Sequence, residues 1–332
     1  MEKTRIYQPN EVKKAAQDIK LGKLIAFPTE TVYGLGADAT NEDAVRKVFQ
    51  AKGRSTKNPL NVTVSSIEMV KRFVDEISED GMKLINKFWP GPLTLIFKVK
   101  PHSLSPIVTG GLKTAAFRMP DNQVTLQMIQ AAQTPIVGPS ANLSGKPSPT
   151  TAQHVLHDMD GKIAGIVDDG PTAVGMESTI IDLSQSQPTL IRLGAISAQT
   201  IETTLGKKVH LPKKTTKVPA TQFKHYKPNA QILMVNSTEW QEAIEWAVNQ
   251  NEKIGIMATD EILENIPSKL EFFNLGTDVT TASQKFFAAI RFLDNDKHVK
   301  VILAQKFNSS GIGEAYMNHL KKASDNQTLR LR

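Results

Sequence analysis

Between Glu202 and Glu239 the chain carries no acidic residue, yet it holds Lys207, Lys208, Lys213, Lys214, Lys217, Lys224 and Lys227. Residues 206–229 also contain Pro212, Pro219 and Pro228 and show little hydrophobic period. A proline removes a backbone donor and fixes φ, so neither a helix nor an interior strand runs through such a stretch. It therefore divides the 332 residues into a larger domain, 1–206, a Lys-rich linker or lid, 207–229, and a smaller domain, 230–332. A length of this order suits about two cores. The formal charge of +7 equals the number of linker lysines, so the two flanking regions together are neutral. A pervasive basic face that tracks a nucleic-acid backbone is thereby disfavoured, and direct nucleic-acid contact is left open. The local excess reads either as a solvated linker or as an arm drawn to a polyanionic ligand.

Other features narrow the class. The chain has no cysteine, which excludes disulfides, thiol catalysis and cysteine-based zinc sites and makes the cytoplasm the natural compartment. Hydrophobic residues at 40 % suffice for a packed interior. No run of 18 apolar residues and no apolar-cored leader is present, so no membrane association is expected.

Hydrophobic patterning predicts an α/β protein. A helix is expected over 10–20 with Asn10 as its N-cap, and a short buried strand over 24–27. A second helix opens on the capping-box sequence Thr40-Asn41-Glu42-Asp43 and runs to Lys52. Strands follow near 60–64, 93–99, 115–119, 135–137, 163–167, 179–183 and 189–193, with helices near 66–75, 78–88 and 122–132. Beyond the linker, strands at 232–235, 254–258, 270–275 and 299–304 alternate with helices at 238–250, 260–265 and 280–294, and a last helix starts near Gly313. That alternation is a small doubly wound pattern of its own.

Three patterns attract attention for the wrong reasons. Gly34-Leu35-Gly36-Ala37-Asp38-Ala39 spells a dinucleotide fingerprint, but Pro28 to Tyr33 separate it from the preceding strand, where the motif requires direct succession. His154 and His157 lie beside Asp158 without a nearby third ligand and read as a solvated helix face. Gly311-Ile312-Gly313-Glu314 reads as a glycine turn entering a helix or as an anion site at its N-terminus. No G-x-x-x-x-G-K-[ST] sequence occurs, so a bound ATP would not sit on a P-loop.

Four segments carry usable chemistry, all before the linker. Phe27-Pro28-Thr29-Glu30-Thr31-Val32-Tyr33-Gly34-Leu35-Gly36 places hydroxyls and glycines after a strand end, where α/β sheets gather ligands. Lys52-Gly53-Arg54-Ser55-Thr56-Lys57-Asn58-Pro59-Leu60 puts three cations on a short loop: they complement a helix C-terminus or wrap a polyphosphate. Arg118, inside the apolar strand Ala115-Ala116-Phe117-Arg118-Met119, needs an anionic partner if it points inward, either a ligand carboxylate or an internal Asp or Glu. Gly138-Pro139-Ser140-Ala141-Asn142-Leu143-Ser144-Gly145-Lys146-Pro147-Ser148 offers small residues that allow close backbone approach to phosphate.

Taken together, Pro-Thr-Glu-Thr-x-Tyr-Gly-Leu-Gly, Lys-x-Arg, Asn-Pro-Leu and Ser-x-Asn, in that order, resemble the YrdC-type threonylcarbamoyl-AMP synthase family. Glu177-Ser178-Thr179-Ile180-Ile181-Asp182 and Ile191-Arg192-Leu193-Gly194-Ala195 resemble its later motifs, and His225-Tyr226-Lys227-Pro228 its long two-domain form. The resemblance implies a twisted mixed-sheet YrdC-like catalytic domain plus a smaller doubly wound, Rossmann-like C-terminal domain. It implies a nucleotidyltransferase that makes threonylcarbamoyl-AMP and pyrophosphate from L-threonine, bicarbonate or CO2, and ATP with Mg2+. Partner enzymes, the tRNA threonylcarbamoyl transferase machinery, would then modify an adenosine of tRNA. Lys52, Arg54, Ser140 and Asn142 match the catalytic tetrad. By position, Arg54, Asn58, Thr114, Ser140, Ser148, Arg192 and Tyr226 would hold ATP, with Lys52 and Asn142 completing the phosphate cradle. Thr31, Thr63, Arg118, Gly138 and Ser178 would hold threonine. Thr63 stands where the family usually has histidine and so lacks a group that titrates near neutral pH; Gly138 in place of a frequent alanine looks minor.

Overall fold

The structure, a computed structural model, describes residues 3–211, 228–264 and 266–331. The chain forms two compact units. The larger comprises the residues up to Ser144, Ser148–Ala173 and the chain onward from Glu177; the smaller takes Gly145–Pro147, Val174–Met176 and the C-terminal part.

In chain order the larger unit has β1 (Arg5–Tyr7), α1 (Val12–Lys20), β2 (Ile25–Phe27), β3 (Gly34–Asp38), α2 (Glu42–Lys52), β4 (Asn61–Thr63), α3 (Ile67–Lys71), α4 (Glu79–Phe88) and β5 (Leu93–Lys98). Then come α5 (Pro106–Thr109), β6 (Thr114–Arg118), α6 (Gln123–Ala132), β7 (Ile136–Val137), α7 (Ala152–Met159), β8 (Gly165–Val167), β9 (Thr179–Asp182), β10 (Thr189–Arg192) and α8 (Ala198–Leu205). Ten strands form one mixed sheet in the order β1-β8-β2-β3-β7-β4-β6-β5-β9-β10. Its centre is β7, two residues long and antiparallel to both neighbours, β3 and β4. Helix α1 buries Val12, Ala15, Ala16 and Ile19, the face its sequence period defines.

The helix starts differ from the sequence reading in detail. Asn10 does not cap α1; it lies within a 3-10 turn, Pro9–Glu11, that leads into the helix. Helix α2 starts one residue later than the capping-box reading, with the Asn41 side chain accepting the Ala44 N–H at 3.1 Å. The larger correction is β3. Gly34–Asp38 is a strand antiparallel to β2, whereas its two glycines had suggested a polar loop. The reason is tertiary: the Phe27 ring lies against Gly34, where a Cβ would meet three ring atoms at 2.4–2.8 Å. An aromatic cover of this kind offsets the poor strand propensity of glycine. It also rules out a dinucleotide turn there, since the glycines lie in a paired strand.

The first residues of the linker belong structurally to this unit. His210 bridges to Thr189, Lys207 pairs with Asp80 at 2.5 Å and Lys208 with Glu202 at 2.8 Å. Lys213, Lys214, Lys217, Lys224, Tyr226 and Lys227 lie outside the described residues.

The smaller unit has β11 (Gln231–Val235), α9 (Trp240–Val248), β12 (Ile254–Ala258), α10 (Asp260–Leu263), β13 (Glu271–Asn274), α11 (Val279–Arg291), β14 (Val301–Gln305) and α12 (Ile312–Ala323). All its strand pairs are parallel, in the order β11-β14-β12-β13. Strand β12, paired on both sides, is entirely buried, as a strand covered on both faces should be.

Candidate active site

Helix α2 ends at Gly53, which takes the left-handed conformation (φ 60°) that a C-terminal cap requires. That ending turns Lys52 inward, where only 3 % of the residue is exposed. Its Nζ donates to the carbonyl oxygens of Ser140 and, at 2.6 Å, of Asn142, while the Ser144 N–H returns to the Lys52 carbonyl at 2.9 Å. Burial pushes the Lys52 ammonium down to about 7; the neighbouring Arg54 charge adds to the effect, and Asp158 and Glu177 oppose it.

The loop that receives Lys52 continues the central strand. The Gly138 N–H donates to Asn61 O at 2.9 Å, Leu35 N–H to Pro139 O at 2.7 Å and Ala141 N–H to Tyr33 O at 2.8 Å. Sheet pairing thus fastens 33–35, 61 and 138–142 side by side. Beyond the ends of these strands lies a cavity of about 30 Å³, lined among others by Asn61, Thr63, Arg118, Gly138 and Ser140. Thr63 and Arg118 are register partners of parallel β4 and β6. A Cβ on Gly138 would lie 2.3 Å from Thr63 Oγ1 and 3.1 Å from the Phe27 ring, so an alanine methyl there would have to push the Thr63 hydroxyl aside. Thr31 is fully buried, its hydroxyl 2.9 Å from that of Thr29.

Arg118 does have an internal partner. Its Nη2 lies 2.6 Å from Glu30 Oε2, both side chains being more than nine-tenths buried, and its Nε donates to Gly91 O at 3.3 Å. A second buried pair joins Arg192 Nη1 to Glu177 Oε2 at 2.7 Å. Here Ser148 Oγ donates to Glu177 Oε1 at 2.9 Å, and Arg192 reaches the Ser178 hydroxyl and carbonyl at 3.0 Å each. Ser178 Oγ and Thr94 Oγ1 are 2.8 Å apart. The backbone of Gly194 packs directly on this cluster: a Cβ would fall 2.3–2.5 Å from backbone atoms of Glu177, Ser178 and Thr179.

The structure therefore draws Lys52, Ser140 and Asn142 into direct contact, sets Thr63, Arg118 and Gly138 around one cavity, and bonds Ser148 and Arg192 to Glu177, with Ser178 held in turn by Arg192. Arg54 donates to Pro59 O at 3.2 Å on the cationic loop, where Asn58 closes a turn with Ser55. Thr114 stands apart. It begins β6, about 13 Å from Arg118 at ~3.3 Å per residue, and lines a separate groove of about 990 Å³ with Lys98, Lys100 and Lys113. Tyr226 falls outside the described residues.

The comparisons with known proteins agree with this architecture. The family described as "Telomere recombination" matches residues 17–194, and the "Threonylcarbamoyl-AMP synthase, C-terminal domain" family matches 196–325. The chain belongs to the threonylcarbamoyl-AMP synthase family. It is similar to the threonylcarbamoyl-AMP synthase of Pyrococcus abyssi, at 39 % identity over 97 % of this chain and 96 % of that one. The Bacillus subtilis threonylcarbamoyl-AMP synthase is also 39 % identical, over 96 % and 94 % of the two chains. The crystal structure of P. abyssi Sua5 complexed with L-threonine superposes with a TM-score of 0.91 at 37 % identity, covering 99 % of this chain and 100 % of that one. The enzyme thus has the two-domain form of this synthase family.

Sequence reasoning named no role for Glu30, Asp158 or Glu177. Glu177 stands inside a motif that had been noted, beside Ser178. Asp158 had been read as part of a solvated face, yet it is 5 % exposed, and its charge raises the affinity of Lys52 for a proton. Its neighbour His157, by contrast, has a largely exposed side chain.

Proposed function

We propose that this synthase forms threonylcarbamoyl-AMP and pyrophosphate from L-threonine, bicarbonate or CO2, and ATP, and that the product feeds threonylcarbamoylation of tRNA. The supporting observation is the convergence of Lys52, the 138–142 loop and the Arg118 cavity, together with near full-length similarity to a protein solved with L-threonine.

In this reading threonine's free amine takes up CO2 as a carbamate, and a carbamate oxygen attacks the α-phosphorus in line as pyrophosphate departs. No covalent nucleophile is needed. The protein's task is to hold two anions together and to neutralise charge growing on the leaving group. Lys52 and Arg54 supply fixed cations for it, while Mg2+ enters with the nucleotide, held by phosphate oxygens. Ser140, Ser148, Asn58 and Arg192 contact ATP, and Arg118 holds the threonine carboxylate with Thr31, Thr63, Gly138 and Ser178 around the rest. Arg118, the strand cation beside the cavity, suits a carboxylate through its planar fork. Selection of threonine over serine depends on one methyl group and amounts to ~10–200-fold.

The test is direct: incubate the protein with ATP, Mg2+, bicarbonate and labelled threonine, and search by mass for a threonine-containing AMP adduct. The adduct and pyrophosphate should appear together, and neither should form without threonine. Pyrophosphate release that ignores threonine would defeat the proposal.

A further inference from the structure

Arg118 needs a counter-charge, and the chain supplies one from Glu30. The manner in which it does so is unusual. The charges meet at 2.6 Å, but without the alignment of a hydrogen bond: no hydrogen bond within the described residues reaches either Glu30 oxygen. Glu30 is 8 % exposed, so water does little to satisfy it. A buried carboxylate in that state lacks the donors that such groups ordinarily collect.

The backbone around it is fixed by its neighbours. Thr29 Oγ1 accepts the N–H groups of Thr31 and Val32, at 3.1 Å each, and donates to Val32 O at 2.6 Å. The turn is locked, whereas the Glu30 side chain is held by one ionic contact. The cavity beside Arg118, about 30 Å³, has room for a water or two but not for an amino acid. A ligand carboxylate that takes the Nη2 edge of Arg118 must displace Glu30 from it.

We infer that Glu30 is a specificity-determining residue that pairs with the substrate's α-amino group once the substrate's carboxylate has taken Arg118. The inference rests on the reading of threonine as substrate. An amino acid carries its amine and carboxylate on one carbon, with opposite charges, and the Arg118–Glu30 pair is the complementary arrangement. An incoming zwitterion exchanges one buried ion pair for two. An acid without the amine would strand Glu30 as a buried unpaired charge, which the interior strongly disfavours. Lys52, Arg54 and Arg118 alone would make the site a receptor for simple anions; Glu30 makes it one for amino acids.

The experiment measures binding of L-threonine and of 3-hydroxybutanoate, its amine-free counterpart, to the full chain saturated with Mg2+ and a non-hydrolysable ATP analogue. Wild type should strongly favour threonine. In Glu30→Gln, threonine affinity should fall about 10–100-fold, the effect of losing a charge-assisted hydrogen bond. The amine-free acid should bind more tightly than to wild type, because no carboxylate competes for Arg118. Opposite movements of the two ligands are something a purely structural role would not produce. Equal changes for both, or none, would overturn the inference. So would a wild type that takes the amine-free acid as well as threonine, a comparison that needs no variant. Should wild type bind neither, the threonine reading itself fails, an outcome distinct from bound threonine with unchanged selectivity.

Discussion

Two arginine–carboxylate pairs of the larger unit are built differently. Arg192 and Glu177 sit in a network in which Ser148 and Ser178 take up further hydrogen-bonding capacity, with Thr94 beside Ser178. Arg118 and Glu30 have each other and little else. A pair whose remaining sites are satisfied is part of the scaffold, since each further hydrogen bond fixes its side chains in place. A pair with one undirected contact stores recognition, because a ligand that brings its own charges can replace it. Lys52 belongs with the first kind, wired to two carbonyls.

The contrast can be broken or sharpened by measurement. The largest effect is expected from Lys52→Met, which keeps the aliphatic length and removes the amine. Pyrophosphate release should drop about 10²–10³-fold, the scale for losing one donor that meets transition-state charge. Retained full rate would remove Lys52 from the chemistry. Arg192→Ala removes the ion-pair partner of Glu177 and should cost about 3 kcal/mol of stability in urea unfolding, the low end for a broken buried pair because 19 % of the Arg192 side chain is exposed. Glu30→Gln strips the buried Arg118 of its counter-charge and should cost ~3 kcal/mol or more in the same measurement. Gly138→Ala should displace the Thr63 hydroxyl, destabilise the fold by ~1–3 kcal/mol and raise KM for threonine more than KM for ATP.

The smallest effect is a proton. In the folded, empty protein Lys52 titrates at about 7, against 10.5 for a free lysine. Below that window it is charged in folded and unfolded chains alike, and above it in neither. Between the two values only the unfolded chain holds the proton, so this group makes stability rise with pH from about 7 to 10.5. A triphosphate beside Lys52 would draw the proton back. ATP binding at pH 8 should take up as much as about one proton, seen as a buffer-dependent heat in calorimetry, and at pH 6 almost none. Lys52→Met should abolish the difference.

How far the sequence foretold this depends on range. Helix faces and most strands could be read because their periods are local, as in α1 and β5. The segments bearing Lys52, Arg118 and 138–148 could be named because each concentrates polar or charged residues beside an apolar run. The identity of Arg118's partner could not. Glu30 lies between two threonines in a polar turn, and nothing local ties it to a strand far along the chain. Strand β3 was hidden for a related reason, since its glycines rely on a ring from β2 that propensity does not register. Asp158 reads as solvated from sequence because His154 and His157 have no third ligand nearby, whereas its burial is a tertiary fact.

One consequence follows from the two-residue strand at the middle of the sheet. Because residues 138–142 keep its pairing with both neighbours, they keep its alternation too: Gly138 and Ser140 line the cavity, while Ala141 is sealed away with no exposure at all. Inserting or deleting a single residue ahead of them would invert that alternation and aim a methyl group where the serine now points. The length of this segment should therefore tolerate no drift, even where its letters can change.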